Sequence, residues 1–351
     1  MRMVADSTLS CQRRPTDVAR ARERPSRLAC HTIVAVTRRS YAVVGVGAVG
    51  GYYGARLAAA GHPVHFLARS DADHLRTHGL RMESAGGDVL LETPSVFASP
   101  ENLPPVDVVL VCLKTTDNAA LATLLPPLVQ RDMRRPPIVV ILQNGLGIEE
   151  QIVPHVGAAR LLGGLCFLCS NRIGPGHIRH LDYGRVSLGE HGQGGEPAGV
   201  TEAVDAVADD LAGATIPVVR EPDLVVARWK KLVWNVPFNG LSVLLDALPQ
   251  EVLASTPGRA MAITLMGEIQ AGARACGREV DDGFVAQMLR DTETMTPYLT
   301  SMKLDFDAGR PLEVEAILRA PVRAAAGAGC DLPTVAFLAD AVTHLAGLRP
   351  V

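Results

Sequence analysis

The sequence predicts an α/β protein in which a doubly wound parallel sheet is followed by an all-helical C-terminal domain. A short apolar run, Tyr41-Ala-Val-Val, enters a glycine-rich turn and leaves as a helical pattern. Residues 106–113 and 137–143 are further continuous apolar runs, as expected of parallel strands covered on both sides. After about residue 220 the short runs give way to longer helical patterns broken by Pro257-Gly258, Gly277, Gly309-Arg-Pro311 and Gly329.

The chain divides accordingly into an arginine-rich leader over 1–40, a nucleotide-binding domain over 41–220 and a helical substrate domain over 221–351. Its 351 residues are enough for two cores, and 48% hydrophobic with 20% charged residues is ordinary for a globular enzyme. No apolar run approaches bilayer length, so no membrane partner is expected. The leader holds nine arginines against three acids, so the net charge of −3 conceals a remainder with 25 basic and 34 acidic residues, a net of −9. That balance gives no reason to expect nucleic acid. The leader lacks hydrophobic periodicity until Thr32 and reads as disordered; an organellar presequence and a start codon assigned too far upstream account for it equally well. Seven scattered cysteines, an odd number, fit a reducing compartment and a cytoplasmic protein better than a disulfide framework.

The turn Gly45-Val46-Gly47-Ala48-Val49-Gly50 has the context that a dinucleotide fingerprint of the Rossmann type requires, a strand before it and a helix after it. Gly45 permits the tight turn, Gly47 lets backbone approach a pyrophosphate, and Gly50 lets helix pack on strand. The helix amino end then faces the phosphates. The next strand, 62–68, ends at Arg69, where an enzyme using NAD usually presents a carboxylate to the ribose hydroxyls. A guanidinium suits a 2′-phosphate instead, so the expected cofactor is NADPH. Two later strands run into Lys114 and into Asn144-Gly145. All four positions lie at strand carboxyl ends, where open α/β sheets bind ligands.

A helix is expected within 198–212 and a closing strand at 215–219. Five more helices are expected near 224–246, 257–277, 283–304, 312–328 and 332–347. Between the domains, Cys166-Phe-Leu-Cys169 and His177-Ile-Arg-His180 offer the residue types of a zinc site. Both segments read as strands, on which residues three apart point to opposite faces, so no metal is expected.

Only four of the 34 basic residues are lysines: Lys114, Lys230, Lys231 and Lys303. Arginine keeps its proton at any ordinary pH, whereas a lysine ammonium can donate one. Lys231 begins a stretch in which steps of four bring Asn235 and Asn239 onto its helix face, although Pro237 removes one helical hydrogen bond between them. A proton donor beside two amides is a surface for handling a carbonyl. The helical domain adds Ser301, near the end of one helix, and Glu313, at the start of the next. The helix dipole favours an ionised carboxylate there, which casts Glu313 as a hydrogen-bond acceptor or lysine partner.

From Tyr41 to about Val342 the chain resembles the 2-dehydropantoate 2-reductase (ketopantoate reductase) family. The motifs, in order, are GVGAVGG, the arginine after the second strand, CLK, QNG, RWKKLVWNVPFN, SM and GRPLEVE. The resemblance implies NADPH-dependent reduction of 2-dehydropantoate to pantoate, a step toward pantothenate, in a cleft between the two domains. It implies that Lys231 is the general acid, that Asn235, Asn239 and Ser301 hold substrate, and that Glu313 orients it beside the lysine. Lys114 and Asn144 would contact cofactor or the active centre. Where family members often read Glu-x-Asp followed by Asn-Gly, this chain has Glu313-Val-Glu315 and then Leu318-Arg319, a departure that bears on substrate identity. The alternatives are a reductase of another 2-oxo acid, a 3-hydroxyacid or polyol-phosphate dehydrogenase of similar layout, and a non-catalytic NADPH-binding regulator. The expected partner is a small 2-oxo acid, with a homodimer left open.

Overall fold

The computed structural model of the chain describes residues 38–132, 134–157 and 159–348. Residues 1–37 lie outside them, and with them the expected disorder of the leader. Residues 38–40, assigned to that leader by sequence, belong to the fold. Arg39 pairs with Asp210 at 2.9 Å, and the backbone N–H and Oγ of Ser40 both donate to Asp107 at 2.8 Å.

Among the described residues ten strands form one sheet. They are β1 (Tyr41–Val44), β2 (Val64–Leu67), β3 (Leu80–Ser84), β4 (Val89–Leu91), β5 (Ser95–Phe97), β6 (Val108–Val111), β7 (Ile138–Ile141), β8 (Leu161–Gly174), β9 (His177–Glu190) and β10 (Val218–Arg220). Their order is β4-β3-β9-β8-β7-β6-β1-β2-β5, with β10 beside β9. The centre is parallel, β1 pairing with β2 and β6, β6 with β7, and β7 with β8. The expected parallel sheet is thus present, extended by two antiparallel pairs, β8/β9 and β3/β4. Only Pro175 and Gly176 join β8 to β9, and so short a link makes a hairpin and cannot make a crossover.

The central strands are continuously apolar because both faces are covered. In β1, Tyr41 and Val43 join one core with Tyr53 and Leu57 of α1 (Ala48–Ala59), while Ala42 and Val44 face the other side. That second core contains Leu103 and Leu125, and apolar residues of α3 (Leu121–Leu124), α4 (Pro126–Val129) and α5 (Ile148–Val156). Between β2 and β3 lies the short α2 (Ala72–His78). The helix expected within 198–212 is α6 (Glu202–Gly213), whose Val204, Val207 and Leu211 pack on the first face.

The helical half comprises α7 (Leu224–Leu245), α8 (Pro249–Ala254), α9 (Thr256–Ala275), α10 (Asp282–Thr294), α11 (Ser301–Asp307), α12 (Ala320–Gly327) and α13 (Pro333–Gly347). A turn of π-helix, Glu315–Arg319, leads into α12. The single helix expected over 283–304 is therefore two, α10 and α11. Pro297 lies between them, lacking an N–H and pushing the residue before it toward extended backbone. At six residues α8 is too short to register as a period. Ser301 consequently opens a helix instead of closing one.

Helix α7 is the spine of this half. Asp223 caps it, accepting from Val225 N at 2.9 Å and Val226 N at 3.1 Å. Trp229, Leu232, Val236 and Leu241 pack with Leu265 and Ile269 of α9 and with Val335 and Leu338 of α13. Arg228, one residue before the core tryptophan, turns the other way. It is buried against the sheet, where it pairs with Glu149 of α5 and donates to the carbonyl of Gln143 beyond β7. Among the described residues no helix is long and apolar enough to cross a membrane.

Candidate active site

A cleft of about 1490 Å³ lies between the carboxyl ends of β1, β2, β6 and β7 and the helices α7, α10 and α11. Gly45, Val46, Gly47, Ala48, Val49, Arg69, Lys114 and Asn144 line its sheet side, and Lys231, Asn235, Asn239, Ser301 and Glu313 line its helical side. The glycine turn is built as its sequence predicts. Gly45 has φ +96, and a Cβ on Gly47 would meet nothing within 4 Å, so the backbone there is open to a ligand. No side chain caps α1 at Gly47, which leaves the N–H groups of the first turn available for an anion. Gly50, predicted among the cofactor-binding residues, does not line the cleft. A Cβ there would lie 2.0 Å from the Gly45 carbonyl and 3.0 Å from Val43, so its part is to let helix meet strand.

Arg69 stands exposed at the mouth. The nearby carboxylate, Asp71, is taken by Arg172 at 2.6 Å. Among the described residues no carboxylate pairs with Arg69, which leaves an unpaired cation at the carboxyl end of β2. The uncapped helix start and the bare Gly47 together fit the pyrophosphate of a dinucleotide.

On the helical side Pro237 does not disrupt the alignment expected of α7. The helix runs unbroken through it, and Lys231, Asn235 and Asn239 are all buried at the same cleft. Close packing by α9 and α13 on the remaining faces holds the helix across the missing bond. The Lys231 ammonium donates to the carbonyl of Cys166 at 2.8 Å and sits 4.1 Å from the centre of the Phe167 ring. Burial pulls its pKa down to about 8, because removing water disfavours the charged form. Among the described residues no carboxylate pairs with it. Asn239 accepts from Met302 N at 3.4 Å and so ties α7 to the start of α11.

Two links clasp the loop after β6 to the helical half. Lys114 pairs with the buried Asp305, which also holds Arg310 at 2.8 Å. Glu313 accepts from the backbone N–H of Thr115 at 2.9 Å and from its hydroxyl at 2.8 Å. Glu313 is thus the acceptor anticipated, but its partner is a threonine and not a lysine. Burial opposes the helix dipole that favours its ionised form. Glu313 precedes the first helical residue, and burial pushes its carboxyl above the usual range against the opposing pull of Thr115 and Lys114.

The cysteine and histidine pairs separate as well. Cys166 and Cys169 both line the cleft, as do Phe167 and Leu168 between them, because this whole length of β8 borders it. His177 bonds to Glu83 at 2.9 Å and His180 to Ser84 at 2.8 Å. Glu315, Leu318 and Arg319 do not line the cleft: Glu315 pairs with Arg323, Leu318 is core, and Arg319 pairs with Asp340 at 2.9 Å. Sequence reasoning missed Thr115, Phe167, Arg185 and Asp305, and weighed Cys166 only as a metal ligand. Thr115 and Asp305 carried a signal, as polar residues near Lys114 and Ser301.

The chain matches the family model described as ketopantoate reductase PanE/ApbA over residues 41–193 and the model of its C-terminal part over residues 223–346. It is 46% identical over 312 residues to a 2-dehydropantoate 2-reductase from Nostoc sp., covering 89% of this chain and 97% of that one. A crystal structure of 2-dehydropantoate 2-reductase from Geobacter metallireducens superposes with a TM-score of 0.81 at 40% identity, covering 87% of this chain and 99% of that one. A ternary structure of D-mandelate dehydrogenase with NADH and anilino(oxo)acetate shares the fold, with a TM-score of 0.77 at 23% identity over 88% of this chain and 98% of that one.

Proposed function

The chain belongs to the ketopantoate reductase family, and on that premise we propose that it reduces 2-dehydropantoate to pantoate with NADPH, Lys231 acting as general acid. It is an oxidoreductase of the class acting on CH–OH donors and uses a nicotinamide cofactor. The finer choice of NADPH rests on Arg69 and on the neutralisation of Asp71 by Arg172. When bound at the glycine turn, the reduced nicotinamide supplies the hydride that goes to C2 of the oxo acid.

The protein's own residues handle the charge that this creates. As C2 gains hydride its oxygen takes up negative charge, and the Lys231 ammonium stabilises that oxygen and then gives it a proton. The carbonyl of Cys166 holds the ammonium in place. The Asn235 side chain makes no hydrogen bond among the described residues, so its amide is free for substrate oxygens, and Asn239 and Ser301 line the same cleft. Glu313 is positioned by Thr115 to accept from a substrate hydroxyl. The observation that carries this reading is a buried lysine facing the cleft, held by the Cys166 carbonyl and paired with no carboxylate among the described residues, whose pKa burial pulls down to about 8. An ammonium of that kind is poised to lose its proton near neutral pH.

The test is the consumption of NADPH with 2-dehydropantoate beside a panel of branched 2-oxo acids, with NADH run in parallel. The expected outcome is the highest kcat/KM for 2-dehydropantoate with NADPH. A better oxo acid overturns the substrate, and no turnover at all overturns the catalytic reading.

A further inference from the structure

Arg185, a second cation, faces the same cleft as Lys231. It lies on β9 opposite Phe167 of β8, and its guanidinium carbon is 4.3 Å from the centre of the Phe167 ring. The Lys231 ammonium is 4.1 Å from that same centre. One aromatic ring therefore holds two positive charges, both lining the cleft. Of the other cations of the cleft, Arg172 has Asp71, and Lys114 and Arg310 have Asp305, while Arg69 stands apart on the far, exposed side at the end of β2. Among the described residues neither Arg185 nor Lys231 pairs with a carboxylate, and no hydrogen bond reaches the Arg185 guanidinium.

The backbone is specifically bent to put Arg185 there. Phe167 pairs with Arg185 while the next residue, Leu168, pairs with Tyr183, so Gly184 is an extra, unpaired residue in β9. Tyr183 at φ 61 and Gly184 at φ 113 are both in the left-handed region. Such a bulge shifts every following side chain by one face, and without it residue 185 would point away from Phe167. Helix α1 pins the bulge. The hydroxyl of Tyr53 donates to the Gly184 carbonyl at 3.3 Å, and a Cβ on Gly184 would lie 2.4 Å from the Tyr52 hydroxyl. Two like charges beside one ring repel, and the ring faces offset only part of that cost. An anion bound in the cleft that both cations line would offset the rest.

We propose that Arg185 anchors the carboxylate of the 2-oxo acid, so that the adjacent C2 carbonyl oxygen meets Lys231. The proposal rests on the reading of the cleft as a 2-oxo acid site. A guanidinium can grip a carboxylate with two parallel bonds, and because C1 and C2 are neighbours, gripping one end fixes the other. The anchor would set the choice between free acids and their neutral derivatives, and the face of the carbonyl offered to hydride.

The test uses the full chain saturated with NADP+, titrated calorimetrically with pantoate and with its neutral amide. Wild type should prefer the acid by roughly 10²-fold, the worth of a charge-assisted bond pair. Arg185→Gln should bring the two ligands to near parity by weakening pantoate alone, with NADP+ affinity unchanged, and Arg185→Lys should recover part of the preference. No preference in wild type, or the same preference in Arg185→Gln, overturns the anchor. Equal weakening of acid and amide assigns Arg185 a structural part and also overturns it. Turnover of 2-dehydropantoate, measured alongside, tests the reductase reading separately: its absence sinks that reading, while the acid-over-amide preference still decides on Arg185.

Discussion

Lys231 Nζ donates to the backbone carbonyl of Cys166 at 2.8 Å, so a side chain of the helical half is oriented by a strand of the sheet. The bond crosses between the two halves at the proposed site of chemistry. It leaves the remaining ammonium protons for a substrate while fixing where they point. Replacing Lys231 by alanine should lower kcat by a factor of roughly 10² or more and leave NADPH affinity within a few-fold of wild type. Fluorescence titration with NADPH and steady-state rates check both parts, and an unchanged kcat removes Lys231 from the acid's role.

The pH dependence follows from the sign of the Lys231 shift. Burial lowers its pKa from 10.5 to about 8, so the ammonium predominates below about pH 8 and the free amine above it. Reduction requires the ammonium. Its kcat should be level below about pH 8 and fall above it, while oxidation of pantoate, which requires the amine, should rise through the same region and level off. Rate profiles in both directions test this, and a reduction rate that climbs with pH would contradict it.

Arg69 should govern the choice between the two nicotinamide cofactors. Substitution by aspartate removes a charge-assisted contact to the 2′-phosphate and repels it, so KM for NADPH should rise by roughly 10-fold to 10²-fold. KM for NADH should stay level or improve. Equal effects on both cofactors would mean that Arg69 does not touch the 2′ position.

The buried pair of Arg228 and Glu149 joins α7 to α5, with both side chains almost wholly enclosed. Glu149→Leu strands the guanidinium without its counter-charge and should destabilise the fold by about 3–5 kcal/mol. Replacing both partners with apolar residues should restore much of the loss. Thermal denaturation of the single and double variants measures the difference, and equal melting of wild type and Glu149→Leu would show that the pair carries no stability.

Much of the architecture was legible because it depends on short-range pattern. The apolar runs of β1, β6 and β7, the glycine turn, and the four-residue steps from Lys231 to Asn239 are written in consecutive residues. Pro237 looked like a threat to that alignment, yet packing around α7 outweighed one missing hydrogen bond. Elements were misread where local pattern is ambiguous: the helices α10 and α11 run together across Pro297. The hairpin after Gly174 adds an antiparallel pair to the expected parallel sheet. Glu313 is legible as an acceptor, but its burial, which raises its pKa, and its partner Thr115 come from the tertiary fold, which no local rule supplies.

By itself the sequence determined which residue types stand at the strand ends and along one face of α7, because backbone periodicity alone puts them there. Tertiary structure decided what they touch. Cys166 presents a carbonyl to Lys231, Thr115 holds Glu313, and Arg185 shares the Phe167 ring with the lysine. Each of these contacts joins segments far apart in the chain, and the last depends on one extra residue at Gly184 that reverses strand alternation. A local pattern has no means of encoding a register that is set by the neighbouring strand and by the helix packed against it.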